Sequence, residues 1–325
     1  MSKKSIVILR GGPSSEHEVS LKTGRSVIDT LKDHHDILDV IIDKKGRWYV
    51  SGLERQPHEV IKGKDVVFNA MHGEYGEDGQ VQELLEKLQI PFTGPKKFGA
   101  VLSINKPNTK KIYQSLGLKT PHSKVIDKIE TDTDNIALDL FRNFPMPMII
   151  KPIDKGSSVG LSIVRDFQSL KSTLAKLFET SNKLLVEEFI EGKEGTVGVI
   201  NDFRNEKEYA LLPIEIRTPK NKEVFDYEAK YNGSTEEICP GDFSLEESSI
   251  MQEAAKKVHE ALNLRHYSRT DFIIHPRRGV FLLETNSLPG LTSESLLPKS
   301  LEPIGSSYRE FLEHVINLAI EDSLR

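Results

Sequence analysis

The stretch that most restricts how this chain can fold is Arg269 to Leu296, RTDFIIHPRRGVFLLETNSLPGLTSESL. Two apolar runs, Asp271 to Ile274 and Val280 to Glu284, flank His275-Pro-Arg-Arg-Gly279, and such runs around a glycine-containing loop predict a β-hairpin. Side chains alternate faces along a strand, so Arg269 and Asp271 share one side of the first strand, and Glu284 and Asn286 share one side of the second. One guanidinium and three hard oxygen donors can therefore converge. Asp271, Glu284 and Asn286 are donors of the kind Mg²⁺ takes, with water and phosphate oxygens in its other positions. Arg269 beside them can hold charge that develops on a transferring phosphoryl group. The competing interpretation is an exposed strand edge whose charges prevent edge pairing. Beyond the hairpin, Asn286-Ser-Leu-Pro-Gly290 is a turn, and the hydroxyl-rich residues up to Ser295 can open a helix. N–H groups at a helix start bind carboxylates and phosphates.

At 325 residues the chain is long enough for two or three domains. Charged residues at 29% and hydrophobic residues at 37% suit an ordinary soluble globular protein, and a net charge of −5 carries no electrostatic footprint for nucleic acid. The apolar run after Lys4 is too short for a signal peptide and meets Gly11-Gly12 at once, and no run reaches membrane-spanning length. The single cysteine, Cys239, excludes an internal disulfide. No His or Asn is placed to make it a nucleophile. A cytoplasmic location follows as the expectation, with neither membrane nor nucleic acid as partner.

Ser5 to Leu9 predicts a buried strand, and Arg10 to Ser15 turns it into a helix whose Ser15-x-x-Glu18 has capping-box spacing. Strand, glycine turn and helix can bind phosphate, but the dinucleotide fingerprint G-x-G-x-x-G is absent, which argues against nicotinamide. Glu16 at the mouth of the turn suits an ammonium group; complementarity to the helix dipole is the simpler alternative. Ile37 to Ile42 and Asp65 to Asn69 predict parallel strands, Gln80 to Leu88 a helix and Ile90 to Thr93 a further strand, together an α/β half-domain. Ala70 to Gly79 sits at a strand's carboxyl end, where open α/β sheets bind ligands, with His72 as the candidate or as a structural hydrogen-bonding residue.

After Thr93-Gly-Pro95 and Gly117-Leu-Lys-Thr-Pro121 the pattern turns strand-rich: Met148 to Lys151, Leu161 to Val164 and Leu184 to Glu188, with a helix from Phe167 to Phe178. The loop Ile150 to Gly160 offers N–H groups and hydroxyls to a phosphate and Lys151 adds a charge, although it is no Walker A motif and also reads as a hairpin tip. Leu185 to Ile190 gives apolar residues against which an adenine could lie, and Glu194 could take ribose hydroxyls. Arg217 to Gly241 lacks periodicity and predicts an active-site lid bearing Lys230 and Tyr231, or else a solvated loop. Ser244 to Leu262 and Tyr308 to Ile320 predict amphipathic helices.

Together these motifs resemble the D-alanine–D-alanine ligase family of ATP-grasp enzymes. The likeness is carried, in order, by GGPSSEHEVSL from Gly11, HGEYGEDG from His72, PFTG from Pro91, IIKPIDKGSSVG from Ile149, FDYEAKY from Phe225, CPG from Cys239, RTDF from Arg269 and LLETNSLPGLTSESL from Leu282. The resemblance implies an α/β (α+β) ATP-grasp fold: an N-terminal open parallel α/β domain over 1–94, then two α+β domains, 95–187 and 188–325, clasping ATP. It implies ATP-dependent ligation of two D-alanines through an acylphosphate, for peptidoglycan precursors, by a homodimer using two Mg²⁺ or Mn²⁺ ions. By position, Glu16 would bind the ammonium of the first D-alanine, with His72 near its carboxylate. Lys106, Lys151, Ser157 and Ser158 would hold phosphates, and Lys230 would reach one. Glu187, Glu188, Phe189, Ile190 and Glu194 would hold adenosine. Asp271, Glu284 and Asn286 would ligate metal. Ser157 and Tyr231 would complete the closed site, Arg269 and the Gly290 N–H would stabilise the oxyanion, and Ser295 and Leu296 would take the second carboxylate.

The sequence departs from the family pattern at Asn105, where Asp is usual, at Pro107, at Gly195, where a larger apolar residue is usual, and at Leu291 and Glu294 in the final loop. These bear on nucleotide affinity and on the second-substrate pocket. Tyr231 is missing from the lid of ligases that make D-alanyl-D-lactate, so its presence favours an amine nucleophile, with D-serine still open. A reading from another class, a nucleotide-binding regulatory protein without turnover, is opposed by the complete set Glu16, Arg269, Asp271, Glu284 and Asn286.

Overall fold

The computed structural model describes residues 3–128, 132–153, 160–218 and 235–324. Its first sheet is built on β1 (Ser5–Gly11), which pairs in parallel with β2 (Asp36–Ile42) and β5 (Val66–Asn69). The short antiparallel strands Trp48–Val50 and Leu53–Arg55 extend the β2 edge. Ile6, Val7, Ile8 and Leu9 are all fully buried, because a parallel strand covered on both faces needs an unbroken apolar run. Ile6 and Ile8 pack against α1 (His17–Leu31), and Val7 and Leu9 pack toward α2 (Pro57–Ile61) and α3 (Gln80–Lys87). Two further helices, α4 (Lys97–Ile104) and α5 (Lys106–Ser115), lead out of this half.

The second sheet is antiparallel and carries its own core. Its order is Ser123–Asp127, Lys183–Glu188, Met148–Pro152, Ser162–Val164, with helices Thr133–Asn143 and Phe167–Leu177 packed on it through Ile136, Leu140, Leu170 and Leu174. The third sheet runs Glu236–Ile238, Ile214–Arg217, Lys193–Phe203, Tyr267–His275, Gly279–Asn286, with Glu206–Ala210 also on Lys193–Phe203, and helix Leu245–Ala261 covers it. The C-terminal helix Tyr308–Leu324 does not stay with that sheet alone: Phe311, Leu312 and Val315 join Ile6, Ile8 and Val27 in one hydrophobic core. The ends of the chain are thus welded into one body. At the join, the Arg265 guanidinium donates to the carbonyls of Phe92 (3.3 Å) and Gly94 (3.0 Å), and the Gly94 N–H donates to His266 Nδ1 (2.9 Å). Among the described residues no helix is long and apolar enough to cross a membrane.

Three local expectations are corrected. Ile90 to Thr93 forms only a single parallel bridge, Val67 to Phe92, since Pro91 offers no N–H to a ladder. The aperiodic stretch 217–241 ends in the strand Glu236–Ile238, whose three residues were too short a signal. No capping box forms at Ser15 and Glu18: Glu16 is the N-cap of α1, without a side-chain cap bond, and its own N–H donates to Ser14 Oγ (2.9 Å). Of the expected lid, 217–241, and phosphate loop, 150–160, the parts 219–234 and 154–159, with Ser157, Ser158, Lys230 and Tyr231, lie outside the described residues.

His259 and His266 are buried, and burial above all pushes their imidazoles down, to about 3 and about 4. In the unfolded chain both titrate near ~6.5, so below that pH the unfolded state takes up protons the folded state refuses, and stability falls as pH drops toward 4. Replacing His259 by Gln should flatten this slope by up to about 1.4 kcal/mol per pH unit, read from urea unfolding between roughly pH 4.5 and 6.5. An unchanged slope would place the acid sensitivity elsewhere.

Candidate active site

The hairpin of Tyr267–His275 and Gly279–Asn286 forms in the register the alternation requires: Arg269 opposite Asn286, and Asp271 opposite Glu284. Arg269 grips Asp271 as a fork, Nε to Oδ1 at 2.8 Å and Nη2 to Oδ2 at 2.9 Å. Thr196, from the neighbouring strand, donates to Asp271 Oδ1 (2.6 Å), and Asn286 Nδ2 donates to Oδ2 (3.1 Å). Just past Asp271 the ladder shifts register, and a shift of this kind re-aims side chains near functional sites. The opposite face is buried: Thr270 and Thr285 hydroxyls meet at 3.1 Å, and Tyr113 of α5 donates to Thr285 (2.9 Å).

Tyr113 therefore anchors the helix whose first residue is Lys106. Asn105 caps that helix by accepting the Asn108 N–H (3.1 Å), and Pro107 occupies a first-turn position that has no intrahelical N–H partner to lose. Burial lowers the Lys106 ammonium pKa, against the pull of Glu284. Deeper in, Glu187 lies between two lysines, Lys110 and Lys151, each at 2.6 Å. Burial alone would raise the Glu187 carboxyl, but Lys151 and Lys110 hold it down at about 2. Burial lowers Lys110, whereas at Lys151 the attraction of Glu187 and Glu284 outweighs burial and raises it.

On the other side, Glu16 is 9% exposed at the start of α1. Gly73 lies against it with φ +71°, where a Cβ would fall 2.2 Å from Ser14 Oγ and 3.0 Å from Glu16 Oε2, so only glycine fits. His72 is buried and kept neutral mainly by burial. Its Nδ1 bonds the Leu288 carbonyl (2.9 Å) and its Nε2 bonds Thr23 Oγ (2.8 Å), so both ring nitrogens are engaged within the protein. Glu77, in the same glycine-rich segment, is pushed up to about 8, first by burial and then by the Glu16 carboxylate.

Two cavities meet here. A larger one of about 1050 Å³ is lined by Glu16, His72, Glu77, Asn286, Gly290 and Ser295; a second, of about 450 Å³, by Lys151, Glu187, Phe189, Ile190, Glu194 and Asp271. Lys106, Arg269, Glu284 and Leu296 line both. Among the described residues no three His, Cys, Asp or Glu side chains cluster as a metal cage. Two carboxylates and an amide oxygen are nonetheless a hard-oxygen set, and Mg²⁺ is commonly held by one or two carboxylates with substrate phosphates completing the shell, so Asp271, Glu284 and Asn286 fit such a cation in type, with Asp271 giving up one of the four hydrogen bonds it accepts.

The structure gathers Glu16, His72, Lys106, Lys151, Glu187 to Ile190, Glu194, Arg269, Asp271, Glu284, Asn286, Gly290, Ser295 and Leu296 around these joined cavities. It also shows what their side chains already do. The Glu187 carboxylate faces lysines, and the Glu188 carboxylate takes a bidentate pair from Arg278 (3.1 Å each), which leaves Phe189 and Ile190 to face the second cavity. Ser295 Oγ accepts the Thr292 N–H (3.0 Å). The sequence reasoning missed Lys110, Thr196, Glu77 and Arg278, which act through partners far away in the chain. It also missed the apolar walls Ile149, Leu161 and Leu283. Only Glu77 gave a signal, as an acidic residue inside the glycine-rich segment 72–79.

Residues 112–317 match the family model described as D-ala D-ala ligase C-terminus, and residues 5–62 and 51–95 match D-ala D-ala ligase N-terminus. The D-alanine–D-alanine ligase of Aquifex aeolicus is 38% identical over 314 residues, covering 96% of this chain and 99% of its own. That of Syntrophobacter fumaroxidans is 38% identical over 322 residues, covering 98% and 99%. Among solved structures, the VanG D-Ala:D-Ser ligase from Enterococcus faecalis superposes with TM-score 0.84 at 27% identity over 98% of this chain and all of its own. The D-alanine–D-alanine ligase from Bacillus anthracis complexed with ATP gives 0.80 at 28% identity, covering 99% of each chain.

Replacing Glu284 by Gln should weaken Mn²⁺ binding, titrated by electron paramagnetic resonance with nucleotide present, by at least about tenfold while melting stays within a few degrees. Unaltered Mn²⁺ affinity would remove Glu284 from the donor set.

Proposed function

The chain belongs to the D-alanine–D-alanine ligase family, and from that premise we propose that it joins two D-alanines to D-alanyl-D-alanine using ATP, by a division of labour readable in its two cavities. One observation carries this reading: the cavities share Lys106, Arg269 and Glu284, so a phosphate arriving from one meets a carboxylate arriving from the other.

A carboxylate does not acylate an amine in neutral water, because oxide is too poor a leaving group. Transfer of the γ-phosphoryl of ATP to the first D-alanine carboxylate gives an acylphosphate and ADP. In the smaller cavity the adenine lies along Phe189 and Ile190 between Ile149, Leu161 and Leu283, and Glu194 takes the ribose. Lys151 and Lys106 bring positive charge to the phosphates, where such transfer depends on positioning and charge neutralisation. Asp271, Glu284 and Asn286 would hold one or two Mg²⁺ or Mn²⁺ ions, which supply further neutralisation of the phosphate oxygens when bound. In the larger cavity Glu16 holds the ammonium of the first D-alanine. The free amine of the second then attacks the acylphosphate carbonyl, the new C–N bond forms, the amine loses a proton and phosphate leaves. Arg269 and the Gly290 N–H face the oxyanion of that step; one such donor contributes about 10²–10³ in rate. Ser295 and Leu296 bind the second carboxylate.

The parts given to Ser157, Ser158, Lys230 and Tyr231 rest on the sequence resemblance alone. The same holds for the division at 94 and 187, for a homodimer and for a cytoplasmic setting. D-Serine as second substrate is kept in view by the likeness to the VanG ligase.

In the presence of ATP and Mg²⁺, phosphate release is expected to rise at least about tenfold on adding D-alanine, with a product of the mass of D-alanyl-D-alanine. Equal release with L-alanine would reject the assignment, and a D-alanyl-D-serine product dominating in a mixed panel would reassign the second substrate.

A further inference from the structure

Glu77 stands between the two halves of the welded body. Its Oε2 accepts the Gly73 N–H (2.7 Å), within its own segment, while its Oε1 accepts the Leu288 N–H (3.2 Å) and the Ser287 hydroxyl (3.3 Å) from the loop after the hairpin. A third tie between the same segments is His72 Nδ1–H to the Leu288 carbonyl. Both polar groups of the Leu288 backbone are therefore held by the segment 72–77. Gly73, the anchor on this side, has to be glycine, because a side chain there would strike Ser14 Oγ. From Leu288 to the Gly290 N–H the chain passes through Pro289, whose ring fixes φ, so few torsions separate the anchored peptide from that N–H.

We propose that Glu77 is a positioning residue of the ligation step: acting through Leu288 and Pro289, it sets the Gly290 N–H against the oxyanion, from a part of the chain more than two hundred residues away. The proposal rests on the oxyanion role of Gly290 given above. It differs from a general structural role because the loop it aims carries the reacting geometry, whereas the adenine and ribose residues Phe189, Ile190 and Glu194 line only the other cavity. A carboxyl group is suited to this because both its oxygens accept in this geometry, and the O–H oxygen of the protonated form, which burial favours, still keeps a lone pair for an N–H. An amide offers one accepting oxygen and one donating nitrogen, so a glutamine there must face either Gly73 or Leu288 with donor against donor.

The test is steady-state kinetics of Glu77→Gln and Ser287→Ala in the full chain with ATP, Mg²⁺ and D-alanine, beside melting curves. Wild-type turnover with D-alanine secures the underlying reading, and its absence would sink that reading instead. Given turnover, Glu77→Gln is expected to lower kcat roughly ten- to a hundredfold, as a displacement of about 1 Å does, with KM for ATP within about twofold. Ser287→Ala, which removes the weakest of the three donors and is mild enough to fold should the first variant not, is expected to lower kcat about two- to fivefold with the same constancy of KM for ATP. A folded Glu77→Gln enzyme with wild-type kcat, or a loss expressed mainly as a raised KM for ATP in either variant, overturns the proposal.

Discussion

An antiparallel ladder repeats every two residues, and the site depends on one register: Arg269 against Asn286, Asp271 against Glu284. A slip of either strand by a single residue would send its two members to the far face, away from the other two. What holds the register is that far face, where the Thr270, Thr285 and Tyr113 hydroxyls satisfy one another in a buried chain. Each of these hydroxyls left without a partner would cost about 1–3 kcal/mol. The reactive side of the hairpin is thus specified by its unreactive side, and the same contact fixes α5 and with it Lys106.

Around this hairpin the described lysines Lys106, Lys110 and Lys151 each stand near a carboxylate. Glu187 serves both Lys110 and Lys151, and Glu284 attracts both Lys106 and Lys151. Breaking one partner out of a buried pair typically costs about 3–5 kcal/mol, because the remaining charge is left desolvated. Glu187 stands against two lysines, and Glu284 adds its attraction to one of them, Lys151, and to Lys106. Lys106 and Lys151 both line the second cavity, the one that the proposed function gives to the nucleotide.

Much of this was legible from residue order. Arg269, Asp271, Glu284 and Asn286 converge because strand alternation is a local rule that needs no knowledge of the rest of the chain. The helix Leu245–Ala261 starts where Ser244 and its capping box place it. Lys110 and Arg278 were illegible for the opposite reason: each acts on a residue about seventy to ninety positions away, Glu187 and Glu188, and nothing in their own neighbourhood marks them. His72 was half legible. Its place beside the ligand cavity follows from the strand end it sits on, but the engagement of both nitrogens by Thr23 and Leu288 is a property of the fold.

Three of the departures from the family pattern, Asn105, Pro107 and Gly195, are accommodated by their surroundings. Asn105 still caps α5 through its side-chain oxygen, and Pro107 occupies the one turn where a missing N–H is harmless. At Gly195 a Cβ would lie 2.9 Å from the Phe243 ring and 3.2 Å from Met251 Sδ. The room that a larger residue usually fills is already taken by Phe243, which belongs to a segment 48 positions further along (243 − 195). Gly195 lines the second cavity, so the exchange keeps that wall packed from behind and flat in front. A glycine that looks like a lost contact in the sequence is, in the fold, the partner that makes space for an aromatic ring.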